Sequence, residues 1–290
     1  MNLRRKSSSG LSRRLFVIIN NIILVGLALT MLVPLVNVLA VSFTTDLESF
    51  ENTIKLYPRD PSTVGYQTLF ERVAIWRPFI NNTLVTIAGT LLHVFFASMA
   101  GYVLTKQKFL GKAVLVLLVT LPMMIPFQMI IIPVFVMMRR LSLIDTLYAL
   151  IVIDMVATFS ILLMKNYFEG IPTSLAESAV MDGAREFTIF SKIYFPLAVP
   201  GIVTITIFQF VSRWNQFLPA VLFINSPKRY TLQIALRSLV VSQEVTSTTQ
   251  QVANNARMAG IVISIIPLIA VYVFAQKYFI KGIMIGAVKE

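Results

Sequence analysis

Residues 177–187 read Glu-Ser-Ala-Val-Met-Asp-Gly-Ala-Arg-Glu-Phe, a short polar stretch between two long apolar runs. The sequence Phe-Pro-Leu-Ala-Val-Pro follows at 195–200. In the chain as a whole, 57% of the 290 residues are hydrophobic and 13% are charged, whereas soluble domains carry about 25% charged residues. A polar helix–turn–helix at the face of an apolar bundle offers a surface that another protein can grip, and we predict this use for 177–187.

The apolar residues are grouped in runs, several of which exceed the about 18 residues needed to cross a bilayer as a helix. We count six runs, at about 15–41, 80–104, 113–138, 146–164, 198–224 and 258–279. We therefore predict an all-α membrane protein with six transmembrane helices, in which the polar stretch lies between the fourth and the fifth.

This count divides the chain into a basic N-terminal segment, 1–14, and a transmembrane domain, 15–290. Within the domain, a polar loop at 169–197 connects the fourth and fifth crossings. Outer loops at 44–79 and 225–257 are long and polar enough to meet an external partner. The first apolar run is longer than the core of a signal peptide, so we expect it to be retained as a helix.

Lysine and arginine indicate which side of the membrane each loop faces. With the N-terminus in the cytoplasm, the inner segments hold fourteen of these residues and the outer loops hold ten. Arg139 and Arg140 oppose this orientation, because they fall in an outer loop. We predict that both termini are cytoplasmic. Basic flanks of this kind contact lipid headgroups, and nucleic acid is not an expected partner.

Three prolines interrupt the third apolar run, at Pro122, Pro126 and Pro133. Proline removes a helical hydrogen bond and usually kinks the helix, and in a bilayer the freed carbonyls must find partners inside the protein. The pattern fits a helix that lines a path, and it fits a bent, packed helix equally well.

The polar stretch carries its own local signals. Ser174 and Glu177 have the spacing of a capping box at a helix start, and Gly183 predicts a turn because glycine accepts left-handed backbone. A second short helix with one apolar stripe and two closing prolines is predicted from Phe187, Phe190, Ile193, Pro196 and Pro200.

The pattern Glu177-x-Ala179-x-x-Asp182-Gly183-Ala184, with the Phe190, Ile193, Pro196, Leu197 and Pro200 spacing after it, resembles the EAA loop of permease subunits of binding-protein-dependent ABC importers. Ser178 stands where the family usually has alanine. The resemblance implies a coupling helix that docks into a groove of a cytoplasmic ATPase. The implied coupling residues are Glu177, Ser178, Ala179, Asp182, Gly183, Ala184 and Phe187. Glu177 also fits a purely capping role, and the two roles are compatible.

Three further stretches are similar to the carbohydrate-uptake class with the maltose-type fold: 100–104, 214–217 and the tail 276–289. The tail resembles the end of that class's second permease subunit. The resemblance implies a bacterial cytoplasmic membrane and a heterodimer with a related permease. It also implies two ATPase subunits, an extracytoplasmic solute-binding protein and a sugar substrate.

Several kinds of chemistry are missing from the sequence. It has no phosphate-binding loop, because Gly111-Lys112 lacks both the upstream glycine and the following hydroxyl residue. It has no cysteine, and His93 is its one histidine. We therefore expect no catalytic residue, no metal site and no cofactor in this chain, with ATP and Mg bound by partner ATPase subunits.

Polar side chains inside the apolar runs are costly in a bilayer and indicate function. Asp154 and Arg213 either face the bundle interior, as an ion pair or as wet pathway groups, or Arg213 reaches the outer interface with its long side chain. For His93 we expect a packing hydrogen bond. The candidate pathway residues are Gln209, Arg213, Trp214, Asn215, Gln216 and Asp154, with Trp214 as a stacking surface for sugar.

The resemblance implies the permease subunit of an ATP-driven sugar importer that works by alternating access. A di- or oligosaccharide is the first candidate substrate, and the basic residues of the outer loops leave an acidic oligosaccharide open. Two alternatives remain at this point. One is a secondary transporter driven by an ion gradient, with Asp154 and His93 as ion carriers, and the other is a membrane scaffold that transports nothing.

Overall fold

The computed structural model describes residues 10–51, 53–71, 73–105, 110–245 and 252–287, and the regular structure within these ranges is entirely helical. Most of the predicted basic segment 1–14 lies outside the described residues, as do Lys106, Lys108 and residues 288–290. The chain divides into two compact units, Met1–Val73 with Ser242–Ile263 and Ala74–Val241 with Ser264–Glu290.

The helices, including short 3-10 and π turns, follow one another along the chain. The first six α-helices are α1 (Gly10–Ser42), α2 (Asp46–Ser49), α3 (Val64–Glu71), α4 (Trp76–Thr105), α5 (Lys112–Thr120) and α6 (Phe127–Arg140). The middle of the chain forms α7 (Leu147–Val152), α8 (Thr158–Glu169), α9 (Thr173–Met181), α10 (Glu186–Ile189) and α11 (Phe195–Leu197). The rest forms α12 (Val199–Trp214), α13 (Leu218–Phe223), α14 (Leu232–Val245) and α15 (Asn254–Ala287).

Within the described residues, three helical stretches are continuous, long and apolar enough to cross a membrane, namely Arg13–Ser42, Trp76–Thr105 and Asn254–Lys277. Two bent pairs qualify when each pair is taken as one span. The pair Lys112–Met124 and Phe127–Arg140 bends by 105°, and the pair Glu186–Leu197 and Val199–Trp214 bends by 81°. The all-helical prediction is confirmed, and the structure gives three to five spans by this measure.

Three predicted crossings differ from the expected continuous helices. The third breaks between Met124 and Phe127, at Pro122 and Pro126 as predicted, whereas Pro133 stays inside α6. The fourth, predicted as one helix over 146–164, is two shorter helices, α7 and α8, separated by 153–157. No proline or glycine lies at this second break, so local sequence gives no signal for it. The fifth, predicted over 198–224, ends as α12 at Trp214, and Leu218–Phe223 form the separate helix α13, which begins with Pro219 in its first turn.

The predicted outer loop 44–79 is a folded element, since it contains α2, α3 and the start of α4. The Glu48 carboxylate accepts the backbone N–H groups of Arg59 and Asp60 and pairs with the Lys55 ammonium at 3.4 Å. These hydrogen bonds hold the pKa of Glu48 below its ordinary value. The Asn255 amide donates to the Thr44 carbonyl at 2.9 Å, which fixes the loop at a second point.

In the second unit, α4 packs against α8 and α12 along its length. The contact with α8 is close because Gly101 has no side chain. A Cβ atom at this position would lie 2.8 Å from Met164 Cβ and 2.9 Å from the Lys165 backbone nitrogen. Two buried clusters flank the helix, one around Tyr102 and Phe168, and the other around Val85 and Phe223. The helix α4 therefore connects two packed regions.

Gly101→Ala is expected to destabilise the protein, because the added methyl group meets backbone atoms that cannot move aside independently. Overpacking of this kind costs about 1–3 kcal/mol. Thermal unfolding in detergent measures the effect. Gly26→Ala is the matched control, since a Cβ at Gly26 meets nothing within 4 Å. Equal unfolding midpoints for the two variants would contradict the close approach of α4 and α8.

Candidate functional site

The helix α9 carries the first half of the predicted coupling element, and it begins differently from the expectation. Its N-cap is Pro172, and no side chain caps it. The predicted capping box is therefore wrong. Because the proline precedes the first turn, Ser174 is already helical, and its carbonyl accepts the Ser178 hydroxyl at 2.9 Å. Glu177 is exposed on the helix surface.

The end of α9 explains the sequence Asp182-Gly183-Ala184. Gly183 has φ of +79°, in the left-handed region. Its N–H donates to the Val180 carbonyl at 2.9 Å, and the Ala184 N–H donates to the Ala179 carbonyl at 2.9 Å. This pair of bonds is the Schellman motif, which ends a helix on a left-handed glycine. Ala179 and Ala184 are half-buried against the core, so their small size permits close packing.

The second half of the element also departs from the predicted single helix. α10 is followed by a π turn, Phe190–Tyr194, and by α11. Pro196 does not end it, because the break lies at Ala198, before α12. In the predicted apolar stripe, Phe190 is buried and Ile193 is half-buried, whereas 60% of the Phe187 surface is exposed.

An aromatic cluster supports this element from within the second unit. The Tyr102 ring centroid lies 4.9 Å from that of Tyr194 and 5.4 Å from that of Phe190. The Tyr102 hydroxyl donates to the Glu186 carboxylate at 2.8 Å. This bond connects α4 directly to the start of α10. Tyr102 was not among the predicted coupling residues, although it lies in the stretch 100–104 that carries part of the family resemblance.

The exposed surface of the α9–α11 element carries apolar side chains beside its carboxylates. The exposed fractions are 43% at Leu175, 56% at Val180 and 87% at Met181. These three residues were missed by sequence reasoning. The signal was available, since they are the apolar residues of a polar stretch. Asp182 and Gly183 are exposed on the same segment.

The second predicted site gathers around the break in the fourth segment. Asp154 lies in this break, and its carbonyl accepts the His93 Nδ1–H at 3.0 Å and the Gln209 amide at 3.2 Å. Its carboxylate accepts the Gln216 amide at 3.0 Å. With Nδ1 protonated in a neutral ring, His93 Nε2 accepts the Ser160 hydroxyl at 2.7 Å. Both nitrogens are thus used inside the protein.

Arg213 is 1% exposed and does not reach an interface with water or headgroups. Its Nη1 donates to the Leu150 carbonyl at 2.9 Å, while Nε and Nη2 have no hydrogen-bond partner in the described part of the chain. The guanidinium lies against Gly89, where a Cβ would be 2.3 Å from Nη1. No ion pair joins Arg213 to Asp154 in this conformation, although both face the same helix break.

The remaining two predicted pathway residues lie apart from this cluster. Trp214 is 1% exposed, and its indole N–H donates to the Ser264 carbonyl at 2.9 Å. A surface that stacks on sugar needs an exposed ring face, which Trp214 lacks here. Asn215 is exposed, and its amide donates to the Val211 carbonyl of its own helix. The structure therefore brings together Asp154, Gln209, Arg213 and Gln216.

Comparison with known proteins agrees with this geometry. Residues 93–285 match the family described as "Binding-protein-dependent transport system inner membrane component". The chain belongs to this family. The matched region includes the break at 153–157 and the whole element from α9 to α11. The resemblance inferred from the sequence is confirmed.

The similarity of this permease to individual relatives extends over almost all of its length. It is 33% identical over 287 residues to the polygalacturonan/rhamnogalacturonan transport system permease protein YtcP of Bacillus subtilis, which covers 96% of this chain and 100% of that protein. It is 33% identical over 262 residues to the arabinooligosaccharides transport system permease protein AraQ of Halalkalibacterium halodurans, covering 88% and 90% of the two chains.

A solved structure shares the fold of this permease, with a TM-score of 0.85 and 30% identity over 94% of this chain and all of the other. That structure is described as a bacterial ABC transporter involved in the import of the acidic polysaccharide alginate.

The permease also contains a loop clasp that sequence reasoning missed. The Asp145 carboxylate accepts the backbone N–H groups of Asn225 at 3.0 Å and Ser226 at 2.9 Å, the Ser226 hydroxyl, and Arg229 Nη1 at 2.6 Å. The Ser226 hydrogen bonds, with smaller contributions from Asn225 and Arg229, lower the pKa of Asp145 to about 2. The clasp joins residues about eighty positions apart, so no local pattern reveals it.

The clasp predicts a pH dependence. A carboxylate with a lowered pKa stabilises the folded state above its ordinary pKa of about 3.9. This contribution is lost as the pH falls from about 4 through the Asp145 pKa of about 2. Amide hydrogen exchange at Asn225 and Ser226, corrected for intrinsic rates, should accelerate over this window. In Asp145→Asn it should already be fast at pH 6; slow exchange there would contradict the clasp.

A double-mutant cycle tests the position of Arg213. Gly89→Ala alone should destabilise the permease by about 1–3 kcal/mol, because the added Cβ would lie 2.3 Å from Nη1 and would displace the buried guanidinium. In an Arg213→Gln background the shorter side chain leaves room, so Gly89→Ala should cost less by about 0.5–3 kcal/mol. Denaturation midpoints of the four proteins in detergent give the coupling. Strict additivity would show that the two residues do not touch.

Proposed function

We propose that this chain is a permease subunit of an ATP-driven importer that moves a sugar across the bacterial cytoplasmic membrane by alternating access. An oligosaccharide is the first candidate substrate. The proposal rests above all on the α9–α11 element, which exposes Glu177, Met181 and Phe187 on a rigid helical turn. The names of the relatives support it, since they describe polysaccharide and oligosaccharide transport systems.

The proposed partners are a second, related permease, two cytoplasmic ATPase subunits and an extracytoplasmic solute-binding protein, in contact with membrane lipid. ATP and Mg are bound by the ATPase subunits, and we assign no catalytic residue to this chain. Both termini lie in the cytoplasm, and α7 with α8 form the fourth of six crossings. Binding-protein-dependent transport by the family is consistent with this set of partners.

The proposed coupling site consists of Glu177, Ser178, Ala179, Asp182, Gly183, Ala184 and Phe187. Its exposed apolar side chains would fill a groove of the ATPase, and the carboxylates of Glu177 and Asp182 would meet polar groups at the rim. Burying one large apolar side chain at an interface contributes about 1.5–3 kcal/mol. On α9, the large apolar side chain with the greatest exposed fraction is that of Met181, which is adjacent to the site residue Asp182 and is 87% exposed.

Force applied to this site would pass into the membrane bundle through rigid contacts. The Tyr102–Glu186 hydrogen bond and the aromatic packing of Tyr102, Phe190 and Tyr194 connect α10 and the π turn to α4. When ATP draws the ATPases together, α9 moves with them, and α4 follows. The polar cluster around Asp154, Gln209, Arg213 and Gln216 lies on the proposed substrate pathway side of α12, where the helices rearrange.

Gly183→Pro tests the coupling site. Proline cannot adopt φ near +79°, and it removes the N–H that bonds to Val180. The end of α9 should therefore be displaced, with loss of most ATP-driven uptake in right-side-out vesicles or in proteoliposomes loaded with ATP, and loss of ATPase co-purification. Gly170→Ala is the control, because Gly170 has φ of −77° and ordinary space around it. Normal uptake and assembly in Gly183→Pro would refute the docking role.

A further inference from the structure

Within the second unit, a cavity lies at the N-terminal end of α4, which is the end remote from the α9–α11 element. Its volume is about 510 Å³, which is within the range of small-molecule sites. Apolar residues of α4 and α7 form its floor. Its polar rim consists of Arg77, Asn81, Thr146, Tyr148, Lys228 and Arg229.

The rim is strongly cationic. It carries three basic side chains, Arg77, Lys228 and Arg229, and no carboxylate is among the described residues that line the cavity. Arg229 is paired with Asp145 behind the rim. Among the described residues, neither Arg77 nor Lys228 forms an ion pair. The positive charge of these two side chains is therefore available to a ligand.

The rim is also held in place. The Asn81 side chain, which is 9% exposed, donates to the Lys228 carbonyl at 3.2 Å and the Tyr230 carbonyl at 2.9 Å. The Arg77 Nε–H donates to the same Lys228 carbonyl at 3.0 Å. On the other side, Asp145 clasps the loop through Ser226. The short 3-10 turn Pro227–Arg229 is thus fixed at both ends, and its side chains project from a rigid support.

The position of the cavity along α4 indicates the side of the membrane from which a ligand would reach it. Arg77 and Tyr102 are both in α4, and at 1.5 Å per residue they are separated by about 40 Å. This distance exceeds the hydrocarbon thickness of a bilayer, about 30 Å. In the proposed orientation the cavity therefore opens at the outer side, where a binding protein would release its cargo.

We propose that this cavity binds a carboxylate-bearing sugar residue, so that the imported oligosaccharide is acidic. This inference rests on the proposed function and names the substrate class. Arg77 and Lys228 would pair with the carboxylate, since guanidinium and ammonium groups both form charge-assisted hydrogen bonds to it. The Tyr148 ring, 69% exposed, offers a flat apolar surface to the sugar. The apolar floor would exclude water beneath it.

The test uses the complete complex, with both permeases, the ATPases and the binding protein, in phosphatidylcholine proteoliposomes. The probes are trigalacturonate and its methyl ester, which keeps the same sugar backbone, adds one methyl group per carboxyl and carries no charge. Lys228→Gln retains the backbone carbonyl that organises the rim, so only the charge is lost. Arg77→Gln is a second variant. Arg140→Gln is the control, because Arg140 is an exposed cation that does not line the cavity.

We expect Lys228→Gln to raise the KM for trigalacturonate about fivefold, the upper value for one solvent-accessible charge pair. kcat and the uptake of the methyl ester should not change, and 0.5 M salt should reduce the difference by screening. Arg140→Gln should behave as the wild type.

Four results would overturn the inference. One is an unchanged KM for trigalacturonate in both Lys228→Gln and Arg77→Gln, and another is an equal loss for the charged and the neutral probe. The third is an effect that appears only after phosphatidylglycerol is added, since the ligand would then be a lipid headgroup. A wild-type complex that imports the ester but not the acid also refutes it, and leaves the proposed function intact. The Gly183→Pro experiment judges that function separately.

Discussion

Backbone hydrogen bonding at the break in the fourth segment is the constraint on which the second unit depends. A bilayer provides no water to free carbonyl groups, so each must be satisfied within the protein. At 153–157 the helix is interrupted, and the Leu150 and Asp154 carbonyls are bonded by side chains of α4 and α12 instead. Gln209 and Arg213 lie on one face of α12 at helical spacing, and Gln216 follows just beyond the end of the helix. Their hydrogen bonds fix this face against the break.

That arrangement gives α4 a central structural role. Three residues of α4 make these connections. Asn81, near the beginning of α4, bonds to the 228–230 loop, and His93, near its middle, bonds to the break at 153–157. Tyr102, near the end of α4, bonds to Glu186. A continuous helix is stiff over this length, so a displacement at one end moves the other. The buried guanidinium of Arg213, with two nitrogens unpaired, is the costly part of this assembly. Such a group favours a rearrangement in which those nitrogens gain partners.

The sequence predicts what is set locally and fails where distant residues decide. The apolar runs, the break at Pro122 and Pro126 and the turn at Gly183 follow from composition, ring chemistry and backbone freedom. The break beside Asp154 and the clasp of Asp145 depend on residues about 55 to 85 positions away. The capping box failed because Pro172 took the N-cap position. Four of the six predicted pathway residues come together at the break in the fourth segment. Trp214 instead donates to the Ser264 carbonyl, and Asn215 donates to a carbonyl of its own helix.

The residues of the coupling element fall into two groups, those that the local fold requires and those that it does not. Ala179, Gly183 and Ala184 are required by folding, because the Schellman turn needs a left-handed residue and two small neighbours against the core. Folding gives no such reason for Glu177 and Met181, whose side chains are exposed. Phe187 is also largely exposed, with one ring contact to Phe190 at 6.1 Å between centroids. Residues that folding does not explain, placed on a turn that folding makes rigid, are what a docking surface for a second protein requires.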